Sequence, residues 1–372
     1  MKILFTGGGT AGHIFPIIAI VRKIKENSQA KNIEFLYIGP KDEFAASLLS
    51  QEEIEVKQIM AGKIRRYLSL RNIIDLVFKL PIGFFQAFYY IFVSSPDLIF
   101  SKGGYGSVPS VVAGWILLTP IMLHESDVAP GLANKLVSKM AMEIFTAFPV
   151  EKTGYFPAKK MLSVGNPVRE KVYQGDKEKA KKILSLSGEK PLILILGGSQ
   201  GAQKINNVVL AVLPKLLEKF EIIHQTGRGN FGQVSSEARV ITKESSRKYY
   251  HPVDFLNENE LPHAYQASDI VISRAGAGSI FEIASVGKPS VLVPLSGSAQ
   301  DHQIKNAYAY SSNGSAIVME ELNFTPHFLM ERLEYLFSKP QKLREMGQKA
   351  KSLSKPDAAK VIAEYLVEYL TQ

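Results

Sequence analysis

The chain has 372 residues, 46% hydrophobic and 21% charged, with 44 Lys and Arg against 35 Asp and Glu and no cysteine. The missing cysteines exclude disulfides, thiolate metal sites and a cysteine nucleophile. Such a length calls for two domains, and a net charge of +9 favours anionic partners: nucleotides, nucleic acid or anionic lipid headgroups.

The amino terminus runs straight into a strand, Lys2–Phe5, without the apolar stretch and cleavage site of a signal peptide, so the protein is expected to stay in the cytoplasm. TGGGTAGH, Thr6–His13, follows and leads into a helix. Gly7, Gly9 and Gly12 satisfy G-x-G-x-x-G, but a dinucleotide site also needs an acidic residue closing the second strand. That strand, Ile33–Ile38, ends in Gly39-Pro40-Lys41, and Asp42 reads as the N-cap of the next helix. The dinucleotide reading is weakened, and no P-loop motif exists. His13, at the mouth of the helix beside a phosphate-sized glycine loop, is a candidate base or ligand-orienting group, against the alternative of a structural histidine.

GKIRRY, Gly62–Tyr67, is basic, and Leu76–Val93 is rich in aromatics. Lys79 and Pro81 interrupt that segment, so an uninterrupted apolar stretch is expected to be too short to span a bilayer. Two readings stay open: a buried helix of the first domain, or an apolar patch with a basic rim that sits on an anionic membrane surface. Leu98–Ser101 reads as a strand and enters a second glycine loop, KGGYGSVPS, Lys102–Ser110. Two glycine loops at the same end of one parallel sheet line up where such folds bind ligands, although the glycines could simply make a tight turn. The strand Ile121–Leu123 ends in HESD, His124–Asp127, where polar groups are placed to bind or catalyse. The alternative is that Glu125 caps the following helix. GNPVRE, Gly165–Glu170, has the chemistry of a linker, with Arg169 available to meet a phosphate.

LILILGGSQGAQK, residues 192–204, repeats the opening construction: a buried strand, a glycine turn and a helix start, here running from Ala202 through Leu217. Free N–H groups and the positive end of the helix dipole make such a turn an anion site. Two such units predict two nucleotide-fold domains facing one another across a cleft. Further strands are expected at Glu221–Gln225, Tyr249–Phe255, Asp269–Ser273 and Ser290–Val293. In RAGAGSIFE, Gly276 and Gly278 open a turn, Ser279 can bond an oxygen, and Glu282, expected on the first helical turn, can chelate a ribose diol. The alternative for Glu282 is a favourable charge at a helix N-terminus. SGSAQDHQIKNA, Ser296–Ala307, offers Gln300, His302, Gln303 and Asn306 to sugar hydroxyls. Two helices, Gln341–Ser352 and Asp357–Leu370, close the chain and are expected to pack across the domain junction.

GGGTAGH, HESD with PGLANK, GNPVR, GGSQGAQ, SRAGAGSIFE and DHQIKNA, in this order from Lys2 to about Val318, resemble the MurG family. These are the cytoplasmic N-acetylglucosaminyltransferases of peptidoglycan synthesis, which convert lipid I to lipid II. The resemblance implies an α/β GT-B fold of two Rossmann-like domains. Residues 1–164 would take the acceptor and dock on the membrane, with a last helix near 352–372 returning to them; residues 165–351 would bind UDP-GlcNAc. It implies that Thr10, Ala11 and Gly12 belong to the diphosphate loop, with Ala11 standing where the family often has glycine. Gly103, Gly104, Tyr105 and Gly106 would form the acceptor loop, and Arg169 and Ser199 would approach the nucleotide phosphates. Leu256 would read the uracil through its backbone. Ala277, Gly278, Ser279, Ile280, Phe281 and Glu282 would hold ribose and diphosphate, and Gln303 the N-acetylglucosamine hydroxyls. Asp127 falls where many members carry asparagine, and an acid cannot donate as an amide does. His13 would be the base, with Glu125 as the second candidate, and Lys63–Val93 the membrane face. The implied partners are UDP-GlcNAc, lipid I and the anionic cytoplasmic face of the cell membrane, which the protein would occupy peripherally; no nucleic acid, cofactor or dedicated metal is expected. No D-x-D pair of the metal-dependent kind occurs. The competing classes are a GT-B transferase acting on diacylglycerol, a UDP-GlcNAc 2-epimerase and a non-enzymatic UDP-sugar-binding scaffold.

Overall fold

The structure is a computed structural model that describes residues 1–8, 11–27, 32–62, 75–198 and 201–372. Thr10, Ser199 and the whole basic stretch after Gly62 lie outside the described residues, and of Ala11, Leu76 and Ala299 only the backbone is described.

The described chain forms two compact units, Met1–Arg169 with Lys355–Gln372, and Glu170–Ser354. The first unit runs β1 (Lys2–Thr6), α1 (Ala11–Glu26), β2 (Glu34–Pro40), α2 (Glu43–Gln51), β3 (Glu55–Ile59) and α3 (Leu80–Ser94). It continues with β4 (Leu98–Ser101), α4 (Val108–Ile116), β5 (Ile121–Glu125), α5 (Leu132–Val137), β6 (Glu143–Thr146) and β7 (Met161–Ser163). Its seven strands are all parallel, in the order β3-β2-β1-β4-β5-β6-β7. Strands covered on both faces read as continuous apolar runs, and β1 is one: Ile3, Leu4 and Phe5 are fully buried. Asp42 is the N-cap of α2 as the sequence predicts, its carboxylate accepting the Ala45 N–H at 3.0 Å.

The second unit runs α6 (Lys177–Ile183), β8 (Leu192–Leu196), α7 (Gln203–Lys219), β9 (Glu221–Gln225), α8 (Phe231–Ile241), β10 (Tyr250–Val253), α9 (Leu261–Ala267) and β11 (Ile270–Ser273). Then come α10 (Ala277–Val286), β12 (Ser290–Leu292), α11 (His302–Ser311), β13 (Ala316–Val318), α12 (Pro326–Phe337) and α13 (Pro340–Ser352). Its six strands are parallel in the order β10-β9-β8-β11-β12-β13. The last helix, α14 (Ala358–Thr371), belongs to the first unit, where Ile362, Ala363 and Leu366 join Ile17 and Ile24 of α1 in one buried cluster.

Lys79 and Pro81 do not break the aromatic segment, contrary to the sequence expectation. Lys79 closes a π turn, Asp75–Lys79, and pairs with the buried Asp75 at 2.7 Å. Pro81 falls in the first turn of α3, where its missing N–H costs nothing. The helical run Val77–Ser94 is, by length and composition alone, apolar enough to cross a membrane, and only 17% of it is buried. One face of α3 packs down through Gly83, Ala87 and Ile91. A Cβ on Gly83 would meet the Met60 carbonyl, so glycine lets the helix backbone lie against the chain leaving β3. The other face exposes Phe85, Tyr89, Phe92 and Val93; Val77 and Phe78 of the preceding π turn are exposed too, as are Trp115 at the end of α4 and Leu118 after it.

Candidate active site

In a doubly wound sheet, ligands sit outside the carboxyl ends of the strands where the strand order reverses. In the first unit that point lies between β1 and β4. The two glycine loops that leave these strands are stitched together: Gly8 N–H donates to the Gly103 carbonyl and Lys102 N–H to the Thr6 carbonyl, both at 2.8 Å. Gly103 and Gly104 take φ of +83° and +82°, a conformation that favours glycine. A Cβ on Gly104 would lie 3.0 Å from His13 Nε2 and 3.1 Å from Gly8 Cα. One on Gly106 would lie 2.6 Å from the Gly7 carbonyl oxygen. The glycines thus serve close packing between two loops as well as a turn, and the half-buried ring of His13 lies against both. His13 stands in the first turn of α1, beside Gly12. Burial, and then the charge of Lys102, lower its pKa to about 3, so the imidazole is neutral near pH 7.

Glu125 ends β5 and is buried. One carboxylate oxygen accepts the Asp127 N–H at 2.8 Å, the other the Asn134 side-chain amide at 2.7 Å. Asn134 Oδ1 in turn accepts the Gly104 N–H at 2.9 Å. Glu125 therefore fixes its own loop and, through Asn134, the second glycine loop. It does not cap α5, whose N-cap is Gly131, and the capping alternative fails for that reason. Burial and Asp127 push the Glu125 pKa up, while Lys102 and the two hydrogen bonds hold it down. Asp127 and Tyr105 are half-buried, and the Arg169 guanidinium lies 4.5 Å from the ring of Phe15 on α1.

In the second unit the order reverses between β8 and β11. Gly198 and Gly201 take φ of +81° and +78° in the turn before α7. Gln225, buried at the end of β9, spans two loops: its amide donates to the Gly198 carbonyl at 3.2 Å and its Oε1 accepts the Leu256 N–H at 3.0 Å. After β11, Gly276 is the N-cap of α10. Among the described residues, apart from chain neighbours and the helix's own backbone, no atom lies within 4 Å of a Cβ built on Gly276 or Gly278, and neither has a positive φ. Neither packing nor backbone conformation among the described residues calls for glycine there. Ala277, Ile280 and Phe281 are buried, and Ser279 is half-buried. Glu282 is the sixth residue of α10, a turn deeper than the sequence reading placed it, so a first-turn dipole role does not apply. Tyr265 OH donates to its carboxylate at 3.3 Å.

The loop after β12 is held from two sides. Arg274 pairs with Glu321 at 2.5 Å, and Glu321 also accepts the Ser296 N–H at 3.1 Å. Gln303 Oε1 accepts the Leu295 N–H at 3.0 Å. Between them Gln300 and Asp301 both adopt left-handed backbone, φ +58° and +52°, a strain that concentrates at functional loops. Sequence reasoning missed Lys102, Gln225 and the Arg274–Glu321 pair. The signal was present for the first two: a lysine or glutamine directly ending a buried apolar strand. Among the described residues, no group of three or more His, Asp or Glu side chains stands close enough to hold a metal ion.

The crystal structure of Acinetobacter baumannii MurG superposes with a TM-score of 0.73 at 24% identity over 99% of both chains. A UDP-GlcNAc 2-epimerase from Neisseria meningitidis bound to UDP-GlcNAc reaches 0.70 at 15% identity, covering 99% of this chain and 100% of its own. Both likenesses fix the fold: two Rossmann-like, all-parallel units of the GT-B class. Sequence relatives go further. A Clostridium tetani protein is 40% identical over 92% of this chain and 91% of its own. It is named UDP-N-acetylglucosamine–N-acetylmuramyl-(pentapeptide) pyrophosphoryl-undecaprenol N-acetylglucosamine transferase. A Bacillus anthracis protein named alike is 42% identical over 90% of this chain and 91% of its own. The glycosyltransferase family 28 N-terminal domain matches residues 3–146, and the C-terminal domain of the same family matches residues 192–362. The chain belongs to glycosyltransferase family 28, in its MurG branch.

Proposed function

We infer that this protein transfers N-acetylglucosamine from UDP-GlcNAc to the C4 hydroxyl of the N-acetylmuramyl group of lipid I, with inversion, forming lipid II. The observation that carries the reading is identity of 40% across 92% of the chain to a transferase of that name. The geometry supports it in four places. At α10, Gly276 and Gly278 have no packing reason to be glycine, and a nucleotide diphosphate approaching the helix N-terminus supplies one. Glu282, steadied by Tyr265, takes the ribose diol. The Leu256 N–H is engaged by Gln225, so the Leu256 carbonyl accepts the uracil N3–H. The Gln303 carbonyl oxygen is likewise engaged, which leaves its NH2 to donate to the sugar hydroxyls. Ser199 and Arg169 meet the phosphates, and Thr10, Ala11 and Gly12 the diphosphate of the acceptor.

Of the two candidate bases, His13 fits better. It is half-buried and neutral, whereas both Glu125 oxygens hold neighbouring groups within a buried site. An imidazole of pKa about 3 is a weak base. The negative charge of the acceptor diphosphate, bound by the glycine loops beside it, raises that basicity toward working pH. His13 then takes the hydroxyl proton as oxygen attacks the anomeric carbon and the bond to UDP breaks. The helix N-termini of α7 and α10, with Arg169, stabilise the departing UDP charge. Asp127 contributes near the sugar through an acceptor oxygen only.

The aromatic face of α3, with Trp115 and Leu118 beside it, seats the first unit on the cytoplasmic leaflet, and the basic GKIRRY stretch draws it to anionic lipid. The protein is then peripheral on the inner face of the cell membrane. The deciding experiment is UDP release from UDP-GlcNAc with and without a lipid I analogue. Release that depends on the analogue, with a disaccharide-linked product, is the expected result. Release without acceptor means epimerase or hydrolase chemistry, and bound UDP with no release in either case removes the reading.

A further inference from the structure

A lysine ammonium is among the most costly groups to bury, and Lys102 is 2% exposed. It directly follows β4 and its backbone is fixed to β1. Its ammonium donates to Ser126 Oγ, and Ser126 donates onward to Asn166 Oδ1 at 3.1 Å. This two-step relay joins the second glycine loop, the HESD loop and the GNPVR segment that carries Arg169. The ionisable groups that interact with its charge are His13 from α1, His124 and Glu125 from β5, and Asp127 after β5.

We propose that Lys102 is a positioning residue of the transferase site: its buried ammonium, through Ser126, ties the three loops together and is the positive charge beside which His13 and Glu125 are set. The role in the reaction rests on the function inferred above; the role toward His13 and Glu125 does not. The electrostatics agree in sign. Lys102 disfavours a second positive charge on His13 and His124 and favours the carboxylate form of Glu125. Both effects favour the unprotonated form of the candidate bases, while burial and Asp127 still raise the Glu125 pKa to about 7. The carboxylates of Glu125 and Asp127 repay the charge of Lys102 in turn, opposing the burial that depresses its pKa.

The test is a titration of the His13 imidazole by NMR in protein labelled at histidine carbon, in the full chain, for wild type, Lys102→Met and Lys102→Arg. The His13 midpoint is expected to rise by about one pH unit in Lys102→Met and to return in Lys102→Arg. In parallel, the acidic limb of kcat against pH, with saturating UDP-GlcNAc and lipid I analogue, moves to higher pH in Lys102→Met by a like amount. An unmoved His13 midpoint in folded Lys102→Met overturns the proposal, as does a moved midpoint with an unmoved limb in active enzyme. Should Lys102→Met fail to fold, Ser126→Ala decides. It cuts the tie and keeps the charge, so kcat falls several-fold with the His13 midpoint in place; unchanged kcat removes the positioning role. A wild type that releases no UDP with any acceptor, yet shows the midpoint shift, instead sinks the transferase reading and leaves the electrostatic role of Lys102 standing.

Discussion

A neutral imidazole at a helix N-terminus can accept a proton, and His13 holds that form because burial and Lys102 both oppose its charge. Its ring packs against glycines at positions 8 and 104, so truncation removes the base and opens a gap rather than collapsing a core. His13→Ala is expected to lower kcat by about 100-fold to 10,000-fold, the usual range for a general base, with UDP affinity within about twofold of wild type. Steady-state kinetics beside calorimetric UDP titration checks both, and normal turnover removes His13 from the mechanism. Gln225 acts through others. Its two amide hydrogen bonds fix the Gly198 and Leu256 backbones, and at about 1 kcal/mol each they hold the two nucleotide loops in place. Gln225→Ala should raise the KM for UDP-GlcNAc about tenfold while kcat changes little, because on the proposed reading these loops bind donor and do not move the proton.

At the scale of the element, glycines with different physical reasons predict different outcomes. Gly104 has a positive φ and close neighbours, so Gly104→Ala should destabilise the first unit by more than 1 kcal/mol and displace His13. Gly278 has neither constraint and sits within α10, so Gly278→Ala should leave stability equal or raise it by about 0.5–1 kcal/mol. If the diphosphate approaches α10 as proposed, UDP binding should nevertheless weaken, since the added methyl would stand in its way. Urea melts paired with UDP titration separate the two, and unchanged UDP binding in Gly278→Ala places the diphosphate elsewhere. α3 divides likewise into a packed face of Gly83, Ala87 and Ile91 and an exposed face with Phe85 and Phe92. Phe85→Glu with Phe92→Glu should cut sedimentation with anionic vesicles at least tenfold, at about 1.5–3 kcal/mol lost per ring, while turnover of a soluble acceptor stays normal. The strand-turn-helix units, the helix cap at Asp42 and the order of the motifs were legible in the sequence because each is a local pattern. The double nature of α3 was not: glycine contacts and ring exposure depend on what the helix lies against. Lys102 and Gln225 were flagged only by a polar residue at the end of a buried strand, and their roles become readable only when their distant partners, Ser126 and Leu256, are in place.

Across the whole molecule, each unit carries a histidine at the end of its sheet that is fully buried and resists protonation. In the first unit His124 Nε2 bonds the Gly165 carbonyl at 2.9 Å, and its pKa lies well below the ordinary value through burial and Lys102. In the second, His224 joins Tyr250 OH at 2.9 Å to Asn206 Oδ1 at 3.0 Å, and burial lowers its pKa to about 3. A group depressed in the folded state binds fewer protons there than in the unfolded chain, so its contribution to stability is present above the unfolded value near 6.5 and is lost as pH falls toward the folded value. Between pH 7 and pH 5 the loss for His224 is about 2 kcal/mol. Wild type should therefore unfold at lower urea concentration at pH 5 than at pH 7. His224→Gln cannot titrate and keeps a donor and an acceptor for Asn206 and Tyr250. It should be less stable than wild type at pH 7 by about 1–2 kcal/mol, because two well-placed hydrogen bonds are altered, yet lose about 2 kcal/mol less between pH 7 and pH 5. Since His224 belongs to the second unit, the change should appear in amide exchange of β8, β9 and α7 and leave the acid response of the first unit, set by His124 and His13, as it was. An equal loss in wild type and variant over that interval shows that His224 does not carry the acid sensitivity of its unit.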